Sequence, residues 1–309
     1  MEFPDKIVLE HGGALGDFLL AWPAFISVSR HFSNRPVHFA APSSHRHWLS
    51  PLGTPCPPDI LRGLGARFEG ETWPEALAGT LVVRPGLGLR PDLPDWTNFW
   101  FLPGLAPGRD DPPTTLYREA LAVRDIPFAT DSPLAFRALF GGHAPTGNTV
   151  LLFPGAGHRD KAWPLPRFER LAEVLRDYGL RPVFVMGPAE LERDMRPANG
   201  EMLAPGDLVE LSEAIRSARF VVGPDCGPLH LAGLSGVPGL ALFGPTSPCQ
   251  WAPAGLEVVT AGLPCSPCTA VTAGDFAPDC PRPLPCLEGI TVEMALDRLG
   301  RAGLVPGRP

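Results

Sequence analysis

The stretch Phe220–Thr246, FVVGPDCGPLHLAGLSGVPGLALFGPT, decides the fold. Phe220–Val222 is a short apolar run of the kind that forms a buried strand. Gly223, Pro224 and Gly227 punctuate a turn through Asp225 and Cys226. Pro228 suits the first turn of a helix, where its missing N–H costs nothing. Leu229, Leu231, Ala232 and Leu234 continue that helix, Gly236 ends it, and Val237–Phe243 returns as a second buried strand. Strand, turn, helix and strand make a βαβ unit with a right-handed crossover. Ligands of open parallel sheets bind at the C-terminal ends of strands, where helix N-termini offer N–H groups and partial positive charge to anions. Asp225 and His230 lie beside that place. Read alone, Asp225 is a helix N-cap and His230 a packing residue.

Working outward, the same grammar recurs twice. Lys6–Glu10 is a buried strand followed by the glycine turn His11-Gly12-Gly13-Ala14-Leu15-Gly16-Asp17 and a helix over Phe18–His31, with Pro23 predicting a bend or a late start. Val37–Ala40 is the next strand. Thr149–Phe153 is a strand that runs into Pro154-Gly155-Ala156-Gly157-His158-Arg159-Asp160-Lys161, then Trp163-Pro164 and a helix over Phe168–Tyr178. Pro182–Met186 is a strand, ending at Gly187-Pro188-Ala189-Glu190, and Leu208–Arg219 is a helix leading into the opening stretch. The first of these turns, GGALGD, lacks the lysine and Ser/Thr of a P-loop and is not a GxGxxG fingerprint. Strands alternating with helices predict an α/β fold with parallel sheets.

The 309 residues exceed what one core usually serves, so two domains are expected, with Pro133–Gly147 as the linker. Composition is that of a globular protein, 44% hydrophobic and 19% charged, with a net charge of −7. Neither half is basic, which argues against a nucleic-acid partner. No apolar run of about 18 residues predicts a membrane span, and Glu2–Lys6 does not read as a secretory leader; the expected compartment is the cytoplasm. Lys6 and Lys161 are the only two lysines among 26 basic residues, so the position of Lys161 draws notice.

Residues 42–110 are broken by Pro and Gly. Thr80–Arg84 is expected as a strand, Leu116–Val123 as a short helix, and Trp96–Leu102 (WTNFWFL) as an aromatic core plug or, alternatively, an exposed lip. His45 and His47 read as surface histidines. The tail cysteines Cys265, Cys268, Cys280 and Cys286 have spacing that resembles a zinc site, against the alternative of reduced thiols; no cofactor is otherwise implied. Ile290–Leu299 closes the chain as an amphipathic helix.

Three of these stretches together, GALGDFLLAWPA, FPGAGHRDKAWPLPRFERLAEVL and GPDCGPLHLAGLSGVPGLALFGPT, resemble glycosyltransferase family 9, the ADP-heptose:lipopolysaccharide heptosyltransferases and their relatives. The match covers the first 30 residues and most of 149–292. The resemblance implies the GT-B architecture: an acceptor-side Rossmann-like domain over 1–145 and a nucleotide-sugar domain over 146–290, with parallel sheets facing a central cleft. Residues 291–309 would form a last helix that can cross back to the first domain. It implies an inverting transferase that moves a sugar, heptose, from an ADP-sugar to a lipopolysaccharide-core or related glycan acceptor, and it leaves peripheral contact with the inner membrane face open.

Carried over residue by residue, the resemblance makes Asp17 the catalytic base. Lys161, ahead of Trp163-Pro164, is the donor-site cation, and Asp225, Gly227 and His230 are the family's Asp-x-Gly-x-x-His. Glu190 is the acidic residue near the adenosine ribose. Gly155, Ala156, Gly157 and Cys226 complete the donor side, and His11, Gly13 and Gly16 the acceptor side. Two departures stand out. Ala156 and Gly157 replace the family's Ser or Thr, leaving backbone N–H groups for phosphate, and His11 replaces an Arg or Lys. The rival readings are a nucleotide-sugar-binding protein that has lost turnover, and a nucleotide-sugar epimerase or hydrolase, for which Cys226 and His230 at i, i+4 offer a nucleophile pair.

Overall fold

A computed structural model describes residues 4–88, 90–94, 96–268, 280–282 and 284–307. The chain divides into two compact units, residues 1–132 and 133–309.

In the first unit the elements are β1 (Lys6–Glu10), α1 (Leu15–His31), β2 (Val37–Ala40), α2 (Arg46–Leu49), β3 (Thr54–Pro55), α3 (Pro58–Ala66), β4 (Thr80–Gly86), β5 (Phe99–Pro103) and α4 (Pro113–Ala122). The strands form a five-stranded sheet in the order β3-β2-β1-β4-β5, every neighbour parallel. A strand flanked on both faces must be apolar throughout, and Ile7, Val8 and Leu9 of β1 are 0–1% exposed. On one side Val8, Val82 and Phe99 pack with Ile60, Leu64 and Leu77. Helix α1 buries Phe18, Trp22 and Phe25 at the i, i+4, i+7 spacing of one helical face. It starts at Leu15 and is continuous through Pro23, earlier than the sequence suggested. One turn on, the Ser27 hydroxyl donates to the Pro23 carbonyl (2.6 Å) and accepts from the Ala129 N–H (2.8 Å).

The stretch Trp96–Leu102 resolves as core: Phe99 and Trp100 are buried in β5, and the Trp100 face carries the Arg124 guanidinium 5.2 Å from its centroid. His45 is a correction. It is 3% exposed, stacked on Phe18 at 4.5 Å, whereas His47 is exposed as expected.

The second unit comprises α5 (Ser132–Phe140), β6 (Thr149–Leu152), α6 (Leu165–Asp177), β7 (Arg181–Val185), α7 (Pro188–Glu192), β8 (Glu201–Leu203), α8 (Leu208–Ser217), β9 (Phe220–Pro224), α9 (Gly227–Ser235), β10 (Gly239–Phe243), α10 (Pro248–Trp251), β11 (Glu257–Thr260), α11 (Pro285–Glu288) and α12 (Val292–Arg301). Its six strands run in the order β11-β10-β9-β6-β7-β8, again all parallel. Leu152, Val222 and Leu242 from the sheet pack with Phe168 and Leu171 of α6 and with Leu296 and Leu299 of α12. Each such side chain contributes about 1.5–3 kcal/mol by leaving water.

Two expectations change here. The segment expected as a linker holds α5, and the unit boundary falls at 132/133 instead of 145/146. Beyond α5 the chain stays on the second unit, the His143 and Ala144 N–H groups donating to the carbonyls of Ser235 and Arg216. The closing helix packs on the second unit's own sheet, and Arg298 donates to the Val258 carbonyl at 3.1 Å. Gly236 ends α9 at φ +76°, a left-handed conformation that favours glycine.

Both strand orders reverse direction once, between β1 and β4 and between β6 and β9. At such switch points the loops leave the sheet to opposite sides and open a crevice at the strands' C-terminal ends. The glycine turns after β1 and β6, and the Asp225 turn after β9, all lie at these points.

Candidate active site

In the second unit the chain leaves β6 through Pro154–His158 and makes one 3-10 turn, Arg159–Lys161. It leaves β9 through Asp225 into α9. The two turns meet: Lys161 Nζ donates to Asp225 Oδ2 at 2.8 Å, with Asp225 7% exposed. Asp225 is therefore not the N-cap. That position belongs to Cys226, which makes no side-chain cap bond, so Gly227 is the first helical residue. Pro228 brings no N–H and the Leu229 N–H donates to the Cys226 carbonyl at 3.2 Å, so what this helix start offers an anion is the Gly227 backbone and the positive end of the helix dipole, beside a lysine. His230, one turn into α9, is 7% exposed; burial lowers its pKa against the pull of Asp225, favouring the neutral ring.

Burial, with Asp225 and Glu190 adding to it, pushes the Cys226 thiol up to about 12. A thiolate is the nucleophile in cysteine chemistry, so a Cys226–His230 nucleophile pair is not supported. Glu190, in the first turn of α7, accepts the Gly187 N–H at 2.9 Å through Oε2. Its other oxygen lies so close to Gly155 that a Cβ there would collide with it, which explains glycine at that position. Ala156 is buried, while Gly157 is exposed with open space around its Cα. The sequence reading missed Arg193, whose Nη1 donates to the Ala156 carbonyl at 3.4 Å and brings a second cation to this turn.

In the first unit His11, Gly13 and Asp17 come together. The Gly13 N–H donates to His11 Nδ1 at 3.2 Å. A Cβ on Gly13 would meet His11 Cε1 at 2.9 Å and Asp17 Oδ2 at 3.0 Å, so the glycine lets ring and carboxylate close over one backbone position. Asp17 is the third residue of α1, inside the helix instead of at its cap, which is Ala14; Gly16 is the second. Burial, then the nearby Asp17 charge, raise the Tyr117 pKa and keep that phenol protonated. His11 is 5% exposed, edge-on to Phe18 (5.5 Å) and Phe25 (6.1 Å) and 6.0 Å from His45.

Burial, His45 and Arg84 lower the His11 pKa from 6.5 to about 4. The unfolded chain then binds the extra proton between these two values, so stability is complete above pH 6.5 and falls as pH drops towards 4. Burial lowers His45 in the same direction. At about 1.4 kcal/mol per pKa unit, His11→Gln is expected to remove up to about 3 kcal/mol of the stability difference between pH 7 and pH 4. Urea unfolding of both proteins at the two pH values measures it, and an unchanged difference would sink this assignment.

The tail cysteines do not form a metal site among the described residues, where no group of three or more His, Cys, Asp or Glu is placed to hold an ion. Cys265 and Cys268 are exposed, Cys286 is buried, and charges on Cys268 and Cys280 reach Cys286 after burial in raising its pKa. The interval 269–279 between the second and third of them lies outside the described residues.

With this geometry in place, comparison with known proteins locates the chain. Residues 134–273 match the family model of glycosyltransferase family 9 (heptosyltransferase). That similarity covers most of the second unit. Lipopolysaccharide heptosyltransferase 1 of Escherichia coli (strain K12) is 35% identical over 126 residues, 38% of this chain and 40% of that protein. The match therefore spans less than half the length of that relative. At the level of fold the likeness covers both units. A family 9 glycosyltransferase from Veillonella parvula superposes with a TM-score of 0.65 at 17% identity, covering 98% of each chain. E. coli ADP-heptose lps heptosyltransferase II gives 0.62 at 18% identity, covering 97% of this chain and 98% of the other. The fold is thus GT-B, two Rossmann-like units with parallel sheets, and the Lys161–Asp225 pair lies within the stretch that matches the family model. Among the described residues no helix is long and apolar enough to cross a membrane.

Proposed function

We propose that this chain is an inverting glycosyltransferase that moves heptose from an ADP-sugar to a lipopolysaccharide-core or related glycan acceptor, without a metal ion, in the cytoplasm. The observation that carries the reading is the 2.8 Å Lys161–Asp225 pair, set where two turns of the second unit meet the N-terminus of α9. A diphosphate there takes charge-assisted contacts from Lys161 and N–H donors from Gly157 and Gly227. Arg193 adds a cation where Ala156 and Gly157 lack the family's hydroxyls. Glu190, fixed by the Gly187 N–H, holds the ribose.

In the transfer step the acceptor hydroxyl attacks the anomeric carbon, the bond from that carbon to the diphosphate oxygen breaks, and ADP leaves with the bonding pair. The hydroxyl proton passes to the Asp17 carboxylate. His11, neutral and buried, makes the acceptor side less cationic than an Arg or Lys would. A relative of the same fold, an E. coli heptosyltransferase, has been solved with ADP-2-deoxy-2-fluoro heptose, which supports an ADP-sugar as donor. Acceptors carried on lipid would bring the protein to the inner membrane face.

Calorimetry with ADP, UDP and GDP tests the donor half. ADP is expected to bind most tightly, and Lys161→Ala to weaken it about 10–50-fold, or about 1.4–2.3 kcal/mol. Absence of binding by every nucleoside diphosphate, or indifference to Lys161→Ala, would refute the assignment. Nucleotide binding without transfer or donor hydrolysis would instead favour a binding protein that has lost turnover.

A further inference from the structure

The end of the chain returns to the turn that carries Lys161. Arg282 grips both oxygens of Asp160, Nε to Oδ1 at 2.8 Å and Nη2 to Oδ2. Asp160 is 6% exposed and sits immediately before Lys161 in the 3-10 turn, whose entry is capped by the Asp160 N–H donating to His158 Nδ1 at 3.2 Å. The guanidinium also donates to the Cys280 carbonyl at 3.2 Å, closing residues 280–282 on themselves. A few residues on, the Trp163 Nε1–H donates to the Ile290 carbonyl at 2.9 Å, and Arg167 contacts the same carbonyl and the Glu288 carboxylate (2.8 Å). Both flanks of Lys161 are therefore tied to the tail.

We infer that Arg282 is a positioning residue of the donor site: its bidentate grip on buried Asp160 fixes the 159–161 turn so that Lys161 is held over Asp225 and ready for a diphosphate. A lysine side chain carries about 2 kcal/mol of rotamer entropy, and ordering it before the ligand arrives removes part of that cost from binding. The alternative geometry is costly. Without Arg282 a carboxylate 6% exposed loses both its close hydrogen bonds and keeps only Arg159 at 4.0 Å and His158 at 3.9 Å, so the turn must shift to bring those groups or water to it. That shift displaces Lys161, the next residue. The Arg282 contact also holds the Asp160 carboxyl below its usual range, in keeping with a charged pair. Arg282 itself is spent on Asp160 and Cys280, so it acts through Lys161.

This role rests on the proposed diphosphate contact of Lys161, and the test separates the two. ADP and adenosine are titrated calorimetrically into the full chain as wild type, Arg282→Ala, Arg282→Lys, Lys161→Ala and the double variant Lys161→Ala/Arg282→Ala. Arg282→Ala is expected to weaken ADP about tenfold while adenosine, which lacks the diphosphate, stays within about twofold. Arg282→Lys keeps the charge but loses the fork, and is expected to lose about threefold on ADP alone; it gives the answer should the alanine variant not fold. In the Lys161→Ala background Arg282→Ala is expected to have no further effect, because residues acting through one contact are not additive. Equal losses for ADP and adenosine, additive losses in the double variant, or wild-type ADP affinity in Arg282→Ala would each overturn the positioning role while leaving a Lys161-dependent ADP site standing. ADP binding no tighter than adenosine in the wild type would overturn the diphosphate reading and this role with it.

Discussion

Asp17→Asn is expected to lose about 10²–10⁴-fold in kcat, the range typical of a missing general base, while ADP affinity stays within about threefold, less than about 1 kcal/mol. The position of Asp17 in α1 sharpens this expectation. It is the third residue of the helix, with Ala14 at the cap, so the substitution does not remove an N-cap. What the fold loses is one negative charge in the first turn, a favourable helix-dipole contact of about 0.3–1 kcal/mol. The melting temperature should barely move. The carboxylate shares the Gly13 backbone with the His11 ring, and the nearly isosteric amide fits the same space. The comparison is therefore between unchanged folding, unchanged donor binding and lost transfer. Transfer to a glycan acceptor is the direct readout, with slow hydrolysis of the donor sugar as a substitute. An Asn variant with full activity would remove Asp17 from the mechanism and leave GGALGD as a tight turn that only starts a helix.

Parts of this site were legible in the sequence because they are local. A strand, a glycine turn and a helix N-terminus announce themselves within about ten residues, and three such signatures, after β1, β6 and β9, fall at the two switch points. The scarcity of lysine directed attention to Lys161, and the structure pairs it with Asp225. What the sequence hid is of another kind. Glu10 meets Arg67 across 57 positions and Asp160 meets Arg282 across 122, and no periodicity links residues so far apart. His45 reads as surface because it stands between two serines and an arginine; its burial comes from Phe18 on a different element. The helix Ser132–Phe140 was concealed between prolines and a Gly-Gly pair, although Phe136 and Phe140 lie 4.8 Å apart at helical i, i+4 spacing. The broken region 42–110 contains β3, a strand of only two residues, which is too short to carry an alternating pattern.

The buried ion pair at the end of β1 supplies the largest expected effect on stability. Arg67→Met should destabilise the first unit by about 3–5 kcal/mol, the range for leaving one partner of a buried pair behind. Arg67 is 0% exposed and its Nη2 reaches both Glu10 oxygens at 2.7 and 2.8 Å. Its Nη1 donates to the Leu64 carbonyl at 2.8 Å, and the guanidinium lies 4.5 Å from the Phe68 centroid and 5.4 Å from that of Phe99. Methionine can fill the space along the stem but gives Glu10 nothing. The carboxylate, 16% exposed, is then left with Arg84 at 3.8 Å. Glu10→Gln/Arg67→Met removes the stranded charge as well, and should recover more than about 1 kcal/mol relative to the single variant. Urea denaturation of the wild type, Arg67→Met and the double variant measures the difference. Equal loss in the single and double variants would mean that packing around the Arg67 stem, and not the charge pair, holds this corner. The pair also bears on function, because Glu10 is the last residue of β1 and the next is His11. A Glu10 released to seek water pulls on the first residue of the glycine turn. Arg67→Met is therefore expected to raise the His11 pKa above about 4 by opening its aromatic surroundings, a change that NMR titration of the imidazole would detect.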